Sequence, residues 1–526
     1  MLRWSGVVLF LAMGTGPVAD PPSGPAVTVR LVRPDRQCER LIGLFRGARA
    51  AHPAAALASW RRTASGREGL GKATEAAIAF LNPAMEREYR TLRDAEIGIA
   101  FGPAEGEVRW RVRVPGDDGT FAAVATALAL TGGGSDPPLG GMAVDRLGPP
   151  GAPLMARSHE MLALAGTRDE LRAAMEDIPS GGGAGSRDPA AIDSGWLVRL
   201  DPAALRMSGT PGRRRAADLL RATGFRAIEG SAGLEGDAIA FAVTARGGEA
   251  PVPVPDVGTS LDPSWLDAIP ASSAAAAVAL ALDPRPEAWA SAFAAADRLE
   301  RTDPTRAGVA PLRTRLNLLA AVAGVRPEVD LWPHLKGVSG CLLVDRSGGL
   351  EGAMLALHTD DLAASLRLAD PFLPRVARFL TREPGQDEPR TEGVRRLGRV
   401  AGRPLMVARR GTTVLIGWGE TALPACLDAR EHPERSASEV IRSGWGPIPP
   451  QRAGAFWPGR VRGLAPAGTP ITLALAETPP VLWSGRTEGA VTRDTVRWDD
   501  LSGLVRRFLE HLPLDPPPDA SSPAPR

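Results

Sequence analysis

The stretch Leu335-Lys-Gly-Val-Ser-Gly-Cys-Leu-Leu-Val-Asp-Arg-Ser-Gly-Gly-Leu-Glu-Gly-Ala-Met-Leu-Ala-Leu-His-Thr-Asp-Asp361 decides how the chain is read. It reads as strand, glycine turn, strand, then a helix opened by Asp360–Asp361. A shift of 243 residues lays it without gaps on Leu92 to Asp118, which has the same order of parts. Identity across that match is low (Leu92, Gly106, Asp117 and Asp118), but the apolar positions agree.

Further pairs keep order and spacing. Val144-x-Arg-Leu-Gly148 recurs as Val394-x-Arg-Leu-Gly398, and Pro153-Leu-Met155 as Pro404-Leu-Met406; Gly166 and Gly417 stand equally far downstream. The period is far too long for a solenoid. The expectation is an α+β fold of two tandem repeats, each a mainly antiparallel sheet covered by helices. The first repeat covers 20–246, a Pro-rich connector with Pro-Val-Pro-Val-Pro spans 247–262, and the second covers 263–511. Residues 512–526 are Pro-rich and expected to be disordered.

Length and composition set the frame. A chain of 526 residues exceeds what one core supports. Its hydrophobic share of 44% is that of a globular protein. A formal net charge of +2 gives no global field to steer nucleic acid. Lys72 and Lys336 are the only lysines, so richness in Arg reflects composition rather than phosphate binding.

Residues 1–19 look like an export signal, with Arg3, a short apolar core at Val7–Met13, and small residues from Gly14 to Ala19. No later segment is long and apolar enough to cross a membrane as a helix. The expected location is periplasmic or extracellular. Cys38, Cys341 and Cys426 are widely spaced and odd in number. They make no disulfide framework or zinc pattern and read as small core residues.

Between these landmarks, hydrophobic periodicity predicts strands at Val27–Val32, Glu96–Phe101, Glu107–Val114, Met142–Leu147, Pro153–Arg157, Met161–Ala165 and Gly195–Leu200. More follow at Phe225–Gly230, Ala238–Ala245, Ala275–Leu282, Pro404–Ala408, Thr412–Gly417, Ala455–Trp457, Ile471–Ala476 and Val496–Trp498. Helices are expected over Asp35–Ala50, Lys72–Leu81, Thr120–Leu130 and Arg213–Thr223, and from Thr167, whose hydroxyl with Glu170 makes a capping box. Others start at Pro286, Asp361, Leu373 and Leu501, and one has Pro424 in its first turn.

Four stretches carry a family resemblance: Leu261-Asp-Pro-Ser-Trp-Leu-Asp-Ala-Ile-Pro270, Asp330-Leu-Trp-Pro-His-Leu-Lys-Gly337, Phe456-Trp-Pro-Gly459 and Arg497-Trp-Asp-Asp-Leu501. Together they resemble an uncharacterised family of exported bacterial proteins, a domain of unknown function (the 3352 family). The resemblance implies export and an α+β build over most of the chain. It carries over no catalytic residue.

Motifs for chemistry are sparse. Gly66-x-x-x-x-Gly71-Lys72-Ala73-Thr74 puts Ala73 where a phosphate loop needs a hydroxyl for magnesium, and Ala54–Arg62 before it reads as helix rather than strand. No cofactor is expected. His358-x-Asp360-Asp361 is the best metal or acid–base candidate, an imidazole and two carboxylates at a strand-to-helix joint. Pro115 replaces the histidine in the first half while Asp117–Asp118 persist, so what both halves share is a helix cap. No metal site is therefore assigned. Ser339 lies in mid-strand, the wrong place for a nucleophile elbow.

Arg395, Arg396, Arg399, Arg403, Arg409 and Arg410 are candidates for a basic surface facing an anionic ligand. Solvated arginines without interleaved aromatics are the plainer account. The functional expectation is an exported, non-enzymatic binding or assembly protein of the cell envelope, with envelope proteins or an anionic ligand as partners and no nucleic acid. The alternatives are an exported hydrolase with a dispersed active site, or a carrier of lipid or another hydrophobic ligand. Which ligand, and any catalytic residue, stay open.

Overall fold

A computed structural model of the chain describes residues 27–48, 53, 55–56, 96–101, 108–115, 134–146, 154–157, 161–176, 195–200, 225–247, 260–301, 312–381, 393–461, 469–489 and 491–512. The expected helices at 72–81, 120–130 and 213–223, the glycine-rich 66–74 motif, most of the 247–262 connector, the signal and the tail lie outside the described residues.

Among the described residues, nineteen strands form one sheet. The first ten are β1 (Val27–Val32), β2 (Glu96–Phe101), β3 (Val108–Pro115), β4 (Gly134–Leu139), β5 (Met142–Arg146), β6 (Leu154–Arg157), β7 (Met161–Ala165), β8 (Gly195–Leu200), β9 (Phe225–Glu235) and β10 (Ala238–Gly247). The rest are β11 (Ala274–Ala281), β12 (Leu335–Val344), β13 (Leu350–Thr359), β14 (Val394–Val400), β15 (Arg403–Arg410), β16 (Thr413–Trp418), β17 (Arg452–Phe456), β18 (Val481–Glu488) and β19 (Val491–Trp498).

Every pairing between them is antiparallel. Followed from one edge, the order is β4-β5-β6-β7-β3-β2-β1-β8-β9-β10, and then β19-β18-β17-β11-β12-β13-β16-β15-β14. Both edges are protected. β4 carries Pro137–Pro138, and β14 carries Arg395, Arg396 and Arg399; neither pattern invites another strand.

The helices described are α1 (Pro34–Gly43), α2 (Arg168–Glu176), α3 (Pro286–Arg301), α4 (Leu312–Val322), α5 (Pro327–Asp330), α6 (Leu362–Arg367), α7 (Leu373–Thr381), α8 (Ala422–Glu431), α9 (Ser438–Arg442), α10 (Pro470–Ala476) and α11 (Leu501–Glu510). The Thr167 hydroxyl accepts from the Glu170 N–H at 3.3 Å, which is the expected cap of α2. Between α6 and α7 the chain widens into a π turn at Leu368–Phe372, where Pro371 has no N–H for the regular ladder.

One element differs in kind. Ile471–Ala476, expected as a strand, is helical. Thr469 caps it through the Thr472 N–H, and Pro470 occupies the first turn, where a missing N–H costs nothing. The alternating apolar residues of Pro-Ile-Thr-Leu-Ala-Leu-Ala resemble a strand, but cap and proline decide. Strands β4 and β18 were not anticipated, and α1 stops at Gly43, short of the expected Ala50.

The largest described core lies under α8 and α9. Leu415, Leu423, Ile441, Cys341, Cys426, Met354 and Trp457 are buried together on one face of β11–β12–β13–β16. A second cluster on the opposite face joins α4, the π turn Leu368–Phe372 and α7 to Leu397, Val407 and Val414. Gly417 faces α8 so closely that a Cβ there would lie 2.7 Å from the Leu423 Cβ.

Candidate functional site: a sealed serine–histidine pair

His358 sits near the end of β13, and the strand's alternation turns its ring into the core beneath α8. Its direct neighbours in the sheet are Gly337 on β12 and Thr413 on β16. Ser339 lies two residues along β12, within diagonal reach. The imidazole takes a partner on each nitrogen: Nε2 lies 2.9 Å from the Ser339 Oγ and Nδ1 lies 3.3 Å from the Thr413 Oγ1. Hydroxyls donate or accept, so either neutral tautomer is satisfied.

Trp265, from the 3-10 turn Pro263–Leu266, closes the site. Its ring stacks on His358 at 4.9 Å and 11°. That overlap requires a residue without Cβ at 337, because a Cβ there would lie 2.1 Å from the Trp265 ring. Ser339 and His358 are 1% and 3% exposed. Burial first, and the Arg430 charge second, push the His358 pKa down to about 3, so the ring is neutral at physiological pH.

A hydroxyl beside an imidazole resembles a nucleophile beside its base, but the third member here is a neutral threonine hydroxyl rather than a carboxylate. Ser339 is also buried, so its Oγ is closed to solvent. The arrangement is a hydrogen-bonded clamp across β12, β13 and β16.

The other members of the His358-x-Asp360-Asp361 motif point elsewhere. Asp360 accepts from Lys336 Nζ at 2.8 Å and lies 3.1 Å from His334 Nδ1. Its pKa is lowered: partial burial opposes this, but hydrogen bonds and charge from Lys336 and His334 prevail. Asp361 caps α6, accepting from the N–H groups of Ala363 (3.2 Å) and Ala364 (3.0 Å). The three side chains do not converge. Among the described residues no group of three or more His, Cys, Asp or Glu is placed to hold a metal ion.

The six arginines are placed on the paired strands β14 and β15, three on each. Arg399 and Arg409 donate to the carbonyls of Gly402 and Gly411, both at 3.0 Å. Arg403 donates to the carbonyls of Leu350 and Glu351 and lies over the Trp418 ring at 4.9 Å. Arg410 donates to the Arg409 carbonyl and reaches Glu431 at 4.0 Å. Arg395 and Arg396 lie on the edge strand β14, half-buried and in contact with other groups. Much of this charge is spent on fastening the strands.

Sequence reasoning did not find Trp265 or Thr413 as partners of His358. The available signal was Gly337, a glycine inside a strand, which marks the close approach of another group. A separate cleft of about 140 Å³ is lined by Pro284, Pro286, Trp289, Phe293, Trp332 and Pro333, with the Arg313–Glu328 ion pair beside it. Trp289 and Trp332 stack at 4.8 Å, so the two rings leave no slot between them.

No family model matches the chain. No curated protein matches it either. Among solved structures, crystal form IV of TP0453 is similar to 44% of this chain and 81% of its own, with 8% identity and a TM-score of 0.24. Crystal form III gives 9% identity and a TM-score of 0.23, covering 82% of that chain. These values carry no argument about function.

Proposed function

We propose that this is an exported, non-enzymatic binding protein of the cell envelope, built from two tandem copies of one α+β unit. The kinship with the uncharacterised exported family belongs to the same proposal and rests on the four stretches quoted above.

Support for duplication comes from strand register. Under the 243-residue shift, the pairs Glu96↔Arg113, Ile97↔Val112 and Ile99↔Trp110 become Ser339↔Ala356, Gly340↔Leu355 and Leu342↔Ala353, all of which occur. Starting at Ile97, the row across the first half runs Leu31, Trp196, Ala232, Phe241. Starting at its counterpart Gly340, the row runs Val278, Gly454, Trp483, Val496. The two rows end on equivalent residues, and Phe241 and Val496 pair with each other. Two copies related by a two-fold axis through the β10–β19 seam would produce this register.

The binding reading is carried by one observation, an apolar sheet face that continues across the seam. Residues paired directly across strands share a face, as do residues two apart on one strand. By that rule Trp196, Val243, Val278, Leu342 and Leu355 are on the same face, and each is at least 37% exposed. Partly exposed apolar area of this kind marks contact with a partner or an apolar ligand. The same face favours a second reading, carriage of a lipid or other hydrophobic ligand. A hydrolase finds less support, because the described serine–histidine pair is sealed.

The test is a photo-crosslinking amino acid placed at Leu342 or Leu355, with Arg497 on the opposite face as control. Envelope-protein adducts specific to the apolar face are expected for the binding role. Lipid adducts would move the assignment to carriage. Equal labelling at both faces would remove both readings.

A further inference from the structure

Cys341 and Cys426 stand 85 residues apart in the sequence, yet their Sγ atoms are 4.0 Å apart. Cys341 is on β12 and points to the helix-covered face. Cys426 is in the middle of α8, which lies across that face. Both are buried, whereas Cys38 is half-buried on α1 and belongs to the other half of the chain. Cys341 has small or flexible neighbours in the sheet, Ala277 and Met354. A disulfide needs sulfurs about 2.0 Å apart. The observed gap closes if each sulfur moves toward the other by about 1 Å.

We propose that Cys341 and Cys426 form a structural disulfide tying α8 to the central strands of the second half. The pair goes beyond the functional reading above and does not depend on it chemically. The oxidant is a disulfide, either a thiol oxidoreductase or a small-molecule disulfide. One cysteine loses its proton and attacks a sulfur of that disulfide, and the other oxidant sulfur leaves as a thiolate. The second cysteine then loses its proton and attacks the mixed bond. The Cys341–Cys426 bond forms as the oxidant's second sulfur departs. Two electrons and two protons leave the chain and reduce one disulfide to two thiols.

The burial that hides both sulfurs dictates the order of events. The hydrogen bond with Cys341 and burial push the Cys426 thiol's pKa up, and α8 covers the approach to both buried sulfurs. Oxidation therefore belongs to the folding chain, before α8 docks. Once formed, the bond is out of reach of external thiols, so it acts as a brace and not as a switch.

The test uses the full chain, refolded from denaturant in a buffer of oxidised and reduced glutathione. The product is unfolded again with an excess of alkylating reagent and no reductant, then weighed intact and mapped. The expected result is one alkylated cysteine, Cys38, and a crosslinked pair of peptides containing Cys341 and Cys426. Prior reduction should raise the count to three and lower the melting temperature by several degrees. Three alkylated cysteines without reduction, or a crosslink that includes Cys38, would overturn the proposal. Because refolding is done in vitro, the outcome is independent of where the protein resides in the cell.

Discussion

His358 ties the stability of the second half to pH. Its ring is neutral in the fold, with a pKa near 3, while an unfolded histidine ionises near 6.5. Between those values the unfolded chain binds a proton that the folded chain does not. Stability therefore rises with pH through this window, is complete above about 6.5, and falls as the solution is acidified. The slope for one such group is about 1.4 kcal/mol per pH unit. Urea unfolding at pH 5 and pH 7.5 should show this loss in the wild type. His358→Gln, which keeps polar atoms but cannot titrate, is expected to be less stable at pH 7.5 and to lose about 1.4–2 kcal/mol less on acidification. An equal pH response in both proteins would mean that the ring is hydrated and ordinary. The neighbouring Asp360 has its pKa lowered from the ordinary carboxylate value, away from the range between pH 5 and 7.5.

At the scale of elements, the Asp360–Asp361 pair divides its work. Asp361 supplies the cap of α6 through two N–H groups, and Asp360 fastens the start of β12 to the end of β13 through Lys336 and His334. Asp361→Ala should cost about 1 kcal/mol and Asp361→Asn much less, since the amide oxygen also accepts. Thermal melts of both variants check this; equal losses would show that charge, not capping, matters. This division was half legible in the sequence. The recurrence of Asp117–Asp118 identified a cap, because capping needs only a local spacing. The inward turn of His358 was not legible, since it depends on Trp265, Ser339 and Thr413 arriving from three separate elements. The same limit explains the errors. Ile471–Ala476 shows strand-like alternation, and only Thr469–Pro470 revealed the helix. Strand β4 was missed because Pro137–Pro138 argues against any strand that needs partners on both sides, and this one has β5 alone.

For the molecule as a whole, hairpins and strand-to-helix joints were readable from the local pattern, but the route of the sheet was not. That β1 lies between β2 and β8, or β11 between β12 and β17, follows from register set by distant strands. The most consequential of these long-range pairings is the β10–β19 seam, which joins the halves over eight residue pairs from Ile239↔Trp498 to Arg246↔Val491. A second tie lies beside it. Asp237, in the β9–β10 turn, accepts from the Ser502 N–H at 2.6 Å and the Ser502 Oγ at 2.9 Å, anchoring the start of α11. A chain braced this way should lose both halves together. Proline at 241 removes a donor and the Phe241 ring from a strand paired on both sides, at a cost of about 3 kcal/mol or more. The wild type is therefore expected to unfold in urea in one transition, with amides of β10 and β19 exchanging only on global opening. Phe241→Pro should divide that transition into two, the amides of β8–β9 and of β17–β18 becoming exposed at different urea concentrations. If the wild type already unfolds in two steps, or the variant still unfolds in one with an unchanged midpoint, the seam does not couple the halves and the sheet works as two independent ones.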